Sequence, residues 1–380
     1  MLCRLISRGR KNSLVLYIFI EKEDRPFDRF NILHMMETSQ VHVIMSRMVV
    51  LATLMSTLLI YNMGSGVEGI GVNWGTLGDN LPPPAEVVAL LKSKGFTAVR
   101  LFEPNAEILT ALEGSGLNVV LGTLNQDLEK LANDPSFAAV WVNAHIVPHA
   151  KSVHFQYIGA GNEVIPGTLA SFVLPAIKNL DAALKAVNIP IPVTAVVHAS
   201  VLAASNPPSQ CAFSAEAATA MAPIAAYLEA QKRPLLANLY TYYAYDPMNV
   251  PLDYAMLNST GVVVRDGRLG YQNLLEAQVD ALYSALEKVG APSVEVVLAE
   301  TGWPSAGRPG VATLELAETY NNNLVSLVSP RGAGTPKRPG KPIQTFIFAL
   351  FNENKKPPGV EQNWGLFYPD TKPVYPFNVS

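Results

Sequence analysis

At 380 residues, 49% of them hydrophobic and 16% charged, the chain has the composition of a globular protein and length for one large domain or two ordinary ones. It carries 28 Lys/Arg and 31 Asp/Glu, a net charge of -3; the first 66 residues hold eight basic and five acidic residues, leaving 20 against 26 in the rest. No basic run interleaves with aromatics, so a nucleic-acid partner is not expected, and a neutral or cationic ligand fits better than a polyanion.

The first element in chain order is the apolar run "MVVLATLMSTLLI" at 48–60, preceded by Arg47 and followed by "NMGSGVEG". A basic flank, a short apolar core and small residues afterwards predict a secretory signal peptide over 45–66, cleaved near Gly66. The run is shorter than the roughly 20 apolar residues of a membrane span. Residues 1–44 mix charge and apolar residues without a period. They are read as a gene-model extension or a disordered segment, since Met45 and Met48 stand closer to the apolar run; the rival is a membrane-anchored protein with a cytoplasmic tail. Cys3 falls in that segment. Cys211 is then alone, which argues against a disulfide framework or a CxxC metal site and for a packed thiol.

From Ile70 onward, short β-branched apolar runs alternate with helical patterns. The strand candidates are "IGVNWG" at 70–75, "AVRLFE" at 98–103, "NVVLGTL" at 118–124 and "HFQYIGAGNE" at 154–163. They continue with "IPVTAVV" at 191–197, "PLLANLYTYY" at 234–243, "VEVVLAETGW" at 295–303 and "IQTFIFALF" at 343–351. Nearly continuous hydrophobicity suits parallel strands buried on both faces. Between them lie patterns such as "PAEVVALLKSKG" at 84–95, with Pro near its start and Gly at its end. Eight strands with intervening helices predict a single-domain (β/α)8 TIM barrel over 67–380, with a doubly wound sheet as the alternative.

In such a barrel the chemistry sits where strands end at the C-terminal face. Those ends offer Glu103, Glu163, Tyr240, Glu300 and Phe351. Two signals are sharpest: "GAGNEV", with Asn162 and Glu163 after strand four, and "LAETGW", with Glu300 at the end of strand seven. A carboxylate closing an apolar strand is partly desolvated, which raises its pKa. One such glutamate is as well read as a solvated loop residue or a salt bridge. Two facing one cavity fit glycosidic-bond cleavage, in which one carboxyl protonates the leaving oxygen and the other attacks or activates water. Trp74, Tyr240, Tyr242, Tyr243, Trp303, Phe351 and Trp364 are aromatic candidates for stacking on sugar rings, each equally readable as core.

Other chemistries find no support. "GIGVNWG" and "GAGNEV" lack the third glycine of a dinucleotide fingerprint, and neither GxSxG nor HExxH occurs. His145 and His149 are four apart with Pro148 between them and no third ligand. No metal and no cofactor is expected. Asn258 in "NST" and Asn378 in "NVS" are glycosylation acceptors in a secreted protein.

From "IGVNWG" to "NWGLFYPD" the chain resembles the plant β-1,3-glucanases of glycoside hydrolase family 17. "VVLAETGWPSAG" resembles the family's signature around its nucleophile, "IGAGNE" the segment carrying its acid/base, and "FIFALFNENKKPP" its closing motif. The resemblance implies Glu300 as nucleophile and Glu163 as acid/base, acting on β-1,3-glucan in a retaining endo-hydrolysis. It implies Asn162 on the sugar 2-hydroxyl, and Glu353, Lys356 and Glu361 as a charged group beside the pair. Tyr240, Trp303 and Phe351 complete the expected cleft. Lys356 is expected to help keep Glu300 ionised. Thr241 stands where many members have Pro, and "IGVNWG" replaces the "IGVCYG" of many defence-type members, which points to another branch. With no hydrophobic C-terminal tail, a lipid anchor is not expected. A monomer secreted to the wall space, with the vacuole as the other destination, follows from the resemblance. Mixed-linkage β-1,3;1,4-glucan as substrate, and a wall protein that binds callose without cleaving it, remain the alternatives.

Overall fold

The structure, a computed structural model, describes residues 69–203, 206–328 and 334–379. The extension over 1–44, the signal peptide over 45–66 with its cleavage near Gly66, and Cys3 all lie outside the described residues.

Each expected apolar run holds a strand, shorter than the run, and all but the fourth, whose first four residues are partly exposed, are buried along most of their length. The strands are β1 (Gly71–Trp74), β2 (Ala98–Leu101), β3 (Asn118–Gly122), β4 (His154–Gly159), β5 (Val193–Thr194) and β6 (Val196–His198). They continue with β7 (Leu235–Asn238), β8 (Val264–Asp266), β9 (Leu269–Tyr271), β10 (Val296–Thr301) and β11 (Thr345–Ile347). Nine of them form one parallel sheet in the order β5-β4-β3-β2-β1-β11-β10-β7-β6. Its two ends, β5 and β6, are halves of the single expected run "IPVTAVV", separated only by Ala195. The fifth strand thus pairs with β4 through its first half and with β7 through its second, and the sheet closes as an eight-stranded barrel.

Helices fill the connections. Pro84–Ser93 has Pro at its first position, and Asn105 caps Ala106–Leu112 by accepting from the N–H groups of Glu107 and Ile108. Two connecting helices, Leu128–Asn133 and Pro135–His145, were not foreseen as elements. The second is signalled by Asp134, whose side chain accepts from Ser136 N–H, and by Pro135. In this region His149 Nδ1 lies 2.8 Å from Glu113, while the His145 ring packs edge-on against Trp141. The antiparallel hairpin β8–β9 is an excursion outside the barrel sheet. Among the described residues no helix is long and apolar enough to cross a membrane. Cys211 is buried.

The core has two parts. A large cluster lies between sheet and helices, with Val72, Val99, Val119 and Ile158 against Leu91, Leu109 and Leu180. A smaller cluster of Ala98, Val120, Val196, Leu236, Val297, Ala299 and Phe346 plugs the barrel interior. Gly71 makes room for this plug, since a Cβ there would stand 2.4 Å from the Phe346 ring. Side chains two residues apart share a face of a strand. The residues two positions beyond the plug, Arg100, His198, Asn238 and Phe348, therefore form the next layer upward, at the C-terminal mouth.

Candidate active site

Glu300 belongs to a strand whose inward residues are already Val297 and Ala299. Strict alternation would point it outward. The register of β10 shifts against both neighbours between Leu298 and Thr301, so Ala299 and Glu300 together oppose one step of β7. This bulge re-aims Glu300 into the mouth, opposite Asn238. There three neighbours donate to its carboxylate. Arg100 Nη1 lies 2.5 Å and Asn238 Nδ2 2.9 Å from Oε1, and Tyr240 Oη lies 2.6 Å from Oε2. Arg100 and Glu300 are only 1% and 5% exposed. The guanidinium also donates to Asn73 Oδ1 at 3.0 Å and Asn162 Oδ1 at 2.7 Å. Burial and the Glu300 charge push the Tyr240 hydroxyl well above its ordinary value, so it stays a hydrogen-bond donor.

Glu163 reaches the mouth differently. It lies four residues beyond the end of β4, in the left-handed region at φ 57°. That conformation costs a non-glycine residue on the order of 1–2 kcal/mol. Its neighbours hold it there. Asn125 grips Asn162 at both ends, accepting from its N–H at 2.7 Å and donating to its carbonyl at 2.9 Å. Gly161 N–H donates to Thr123 Oγ1, and Glu163 N–H to the Val196 carbonyl. The Glu163 carboxyl accepts from Asn238 Nδ2 at 2.8 Å. Burial, then the charge of Glu300, push its pKa above the ordinary carboxylate value.

The amide nitrogen of Asn238 thus touches one oxygen of each glutamate, so those oxygens lie no more than 5.7 Å apart. Both face a cavity of about 390 Å³ whose lining includes Thr76, Phe102, Glu103, His198, Tyr243 and Phe348. Glu353, Lys356 and Glu361 line the same cavity, as do Asn162 and Tyr240. Glu353 accepts from Leu77 N–H at 2.7 Å and pairs with Lys356 Nζ at 3.1 Å. Lys356 also stands 4.2 Å from the centre of the Phe348 ring. Glu361 accepts from Tyr243 Oη at 2.9 Å, and burial followed by this bond pushes the Tyr243 phenol up.

Seven of the nine expected site residues therefore meet at one cavity: Asn162, Glu163, Tyr240, Glu300, Glu353, Lys356 and Glu361. Trp303 and Phe351 do not. Trp303 is fully buried, donates to the Val311 carbonyl at 2.7 Å and packs on Tyr242 and Tyr320. Phe351 is 2% exposed and forms a β-bridge with Phe367. At Gly302 the backbone passes so close to Phe348 that a Cβ would meet its carbonyl at 2.2 Å, and Trp303 beyond it lies in the core. Trp74, Tyr242 and Trp364 are likewise core. The cation on Glu300 is Arg100; Lys356 pairs with Glu353 instead.

Arg100, Asn238, His198 and Phe348 escaped the sequence reading. One signal was available for the first: an arginine in the middle of "AVRLF", a strand buried along its whole length, must point at a buried partner.

The sequence model of the family described as Glycosyl hydrolases family 17 matches residues 70–379. A relative from Hordeum vulgare designated GVI is 53% identical over 315 residues, covering 82% of this chain and 97% of its own. Lichenase-2 of the same organism is 46% identical, covering 82% and 99%. The solved structure of CJP38, a β-1,3-glucanase and allergen of Cryptomeria japonica pollen, superposes with a TM-score of 0.79 at 44% identity, covering 82% of this chain and 99% of that one.

Proposed function

Since the chain belongs to glycosyl hydrolases family 17, we propose that it cleaves β-1,3-glucan within the chain by double displacement, with Glu300 as nucleophile and Glu163 as acid/base. The observation that carries this reading is the Asn238 amide shared by both glutamates, which holds their oxygens within 5.7 Å. A retaining mechanism places its two carboxyl groups about 5–5.5 Å apart, whereas inversion needs about 6.5–9.5 Å to admit a water.

The environments divide the roles. Three donors converge on Glu300, the arrangement an attacking carboxylate needs. Glu163, raised by burial and by the charge of Glu300, keeps the proton that the leaving oxygen takes. Glu300 attacks the anomeric carbon, the glycosidic C–O bond breaks, and Glu163 protonates the departing oxygen. Esterification then removes the charge of Glu300. The Glu163 pKa falls as a result, just when it must accept a proton from the incoming water. That water displaces Glu300 and restores both groups. Asn162, whose Oδ1 accepts from Arg100 and Asn238, is the residue we assign to the sugar 2-hydroxyl. Phe102, Tyr243 and Phe348 are the aromatic residues of the lining that a chain of sugars would meet.

Mixed-linkage β-1,3;1,4-glucan is the second reading, favoured by the 46% identity to Lichenase-2. Reducing-sugar release by purified protein from laminarin and from cereal β-glucan separates the two; release from cereal β-glucan alone would overturn the first. A protein that bound insoluble β-1,3-glucan and cleaved neither substrate would overturn both. Secretion to the wall space, supported by the apolar run at 48–60, belongs to the same proposal. Amino-terminal sequencing of exported protein tests it, and a mature chain still containing Asp24 would contradict it.

A further inference from the structure

His198 takes no part in the reaction just described, yet it stands on the cavity wall with the acid. It ends β6, in register with Asn238, the residue that joins the two glutamates. Its Nδ1 accepts the backbone N–H of Ser200 at 3.2 Å and caps the turn Ala199–Val201. That bond selects the tautomer, because a neutral ring whose Nδ1 accepts carries its proton on Nε2. No group among the described residues hydrogen-bonds Nε2, and the half-buried ring lines the cavity. His198 is also close enough to Glu163 to act on that carboxyl electrostatically. Of the other charged groups of the lining, Glu103 follows β2, and Glu353, Lys356 and Glu361 follow β11. In barrel order β11 lies beyond β10 and β7 from β6, so His198 stands on the acid's side of the mouth, away from the group that follows β11.

We propose that His198 forms an acceptor subsite: its Nε2–H donates to a hydroxyl of the glucosyl unit that departs on cleavage. The inference rests on Glu163 being the acid, since the leaving unit must lie on the acid's side of the scissile bond. The same subsite then receives an incoming sugar when a glucan hydroxyl, rather than water, displaces Glu300.

Two substrates isolate this contact. A β-1,3-gluco-oligosaccharide has a glucosyl leaving unit, whereas a 2,4-dinitrophenyl β-laminaribioside has none. His198→Asn keeps an acceptor for Ser200 N–H, because Asn is a good cap, but withdraws the donor from the cavity. The variant is expected to lose about tenfold in kcat/KM on the oligosaccharide, the scale of one lost hydrogen bond to substrate. Turnover of the aryl glycoside should not change. Transfer to added laminaribiose should fall by the same factor as oligosaccharide cleavage. An equal loss on both substrates would make His198 a positioning residue of the wall and overturn the subsite, as would an unchanged oligosaccharide rate. Failure of the underlying acid assignment reads out separately, as Glu163→Ala retaining its activity on the oligosaccharide.

Discussion

Arg100 and Glu300 form a buried ion pair at the mouth of the barrel, drawn from strands β2 and β10, which are not adjacent in the sheet. Removing one member of a buried pair leaves an uncompensated charge, typically at about 3–5 kcal/mol. Arg100→Met is therefore expected to lower the urea midpoint strongly at neutral pH. Arg100→Lys keeps a charge but cannot span Glu300, Asn73 and Asn162 together, so it should fold better than the Met variant and still lose most of kcat. Equilibrium unfolding beside kcat/KM checks this; a fully active Arg100→Lys would show that the fork geometry does not matter.

Asn238 touches both glutamates, and its amide is one of the groups that hold the Glu163 pKa down. In Asn238→Ala that pKa should rise further. A general acid is active while protonated, so activity is lost as pH rises through its pKa. The basic limb of the kcat/KM profile should accordingly move to higher pH. A shift to lower pH would contradict the role given to Asn238.

The loop after β1 is clamped to the loop after β11 through Glu353, which accepts from Leu77 N–H and pairs with Lys356. A Cβ on Gly75 would fall 2.3–2.5 Å from the atoms of that carboxylate. Gly75→Ala should dislodge Glu353, cutting kcat/KM while costing about 1–3 kcal/mol, the usual range for overpacking. Lys356→Met, which leaves the clash-free geometry intact, should reduce kcat with a smaller change in melting temperature. If Lys356→Met keeps full activity, the charged group beside the glutamates plays no part in turnover.

Away from the mouth, burial pushes the Glu276 carboxyl from 4.5 up to about 7. A folded-state pKa above the unfolded value gives stability that is complete below about pH 4.5 and lost as pH rises through 7. Unfolding free energy should therefore decline across that window in the wild type and more gently in Glu276→Gln. Parallel declines in the two proteins would remove Glu276 as the cause.

The barrel was legible because parallel strands buried on both faces read as short apolar runs, and all eight runs hold strands. What the runs conceal is where each strand stops. β7 ends at Asn238, and "TYYA" beyond it is a helical turn, so Tyr240 lies past the strand it was assigned to end. Glu163 lies four residues past β4 at a positive φ, and Phe351 lies well past β11. Only Glu300 lies within a strand, and it faces inward through a bulge that no two-residue period predicts. The glutamates were found because carboxylates beside glycines stand out among apolar residues. Asn238 and His198 were missed because a single polar residue at the end of an apolar run is a weak signal until the register sets it beside a glutamate. Trp303 misled because an aromatic following a catalytic-looking motif reads as cleft, while its ring is fully buried against Tyr242 and Tyr320.

The assignment of Glu300 as nucleophile and Glu163 as acid/base is tested most directly by azide rescue of two variants on 2,4-dinitrophenyl β-laminaribioside. In Glu163→Ala the glycosyl–enzyme still forms at Glu300, because this leaving group needs no proton, and azide then displaces Glu300 to give the β-glycosyl azide. In Glu300→Ala azide attacks directly from the vacated side and gives the α-glycosyl azide. The configuration of each product, read from the anomeric proton by NMR, decides the matter. The β product from Glu163→Ala with the α product from Glu300→Ala is the predicted result; the opposite pairing would exchange the two roles, and net inversion by the wild type would remove the covalent step.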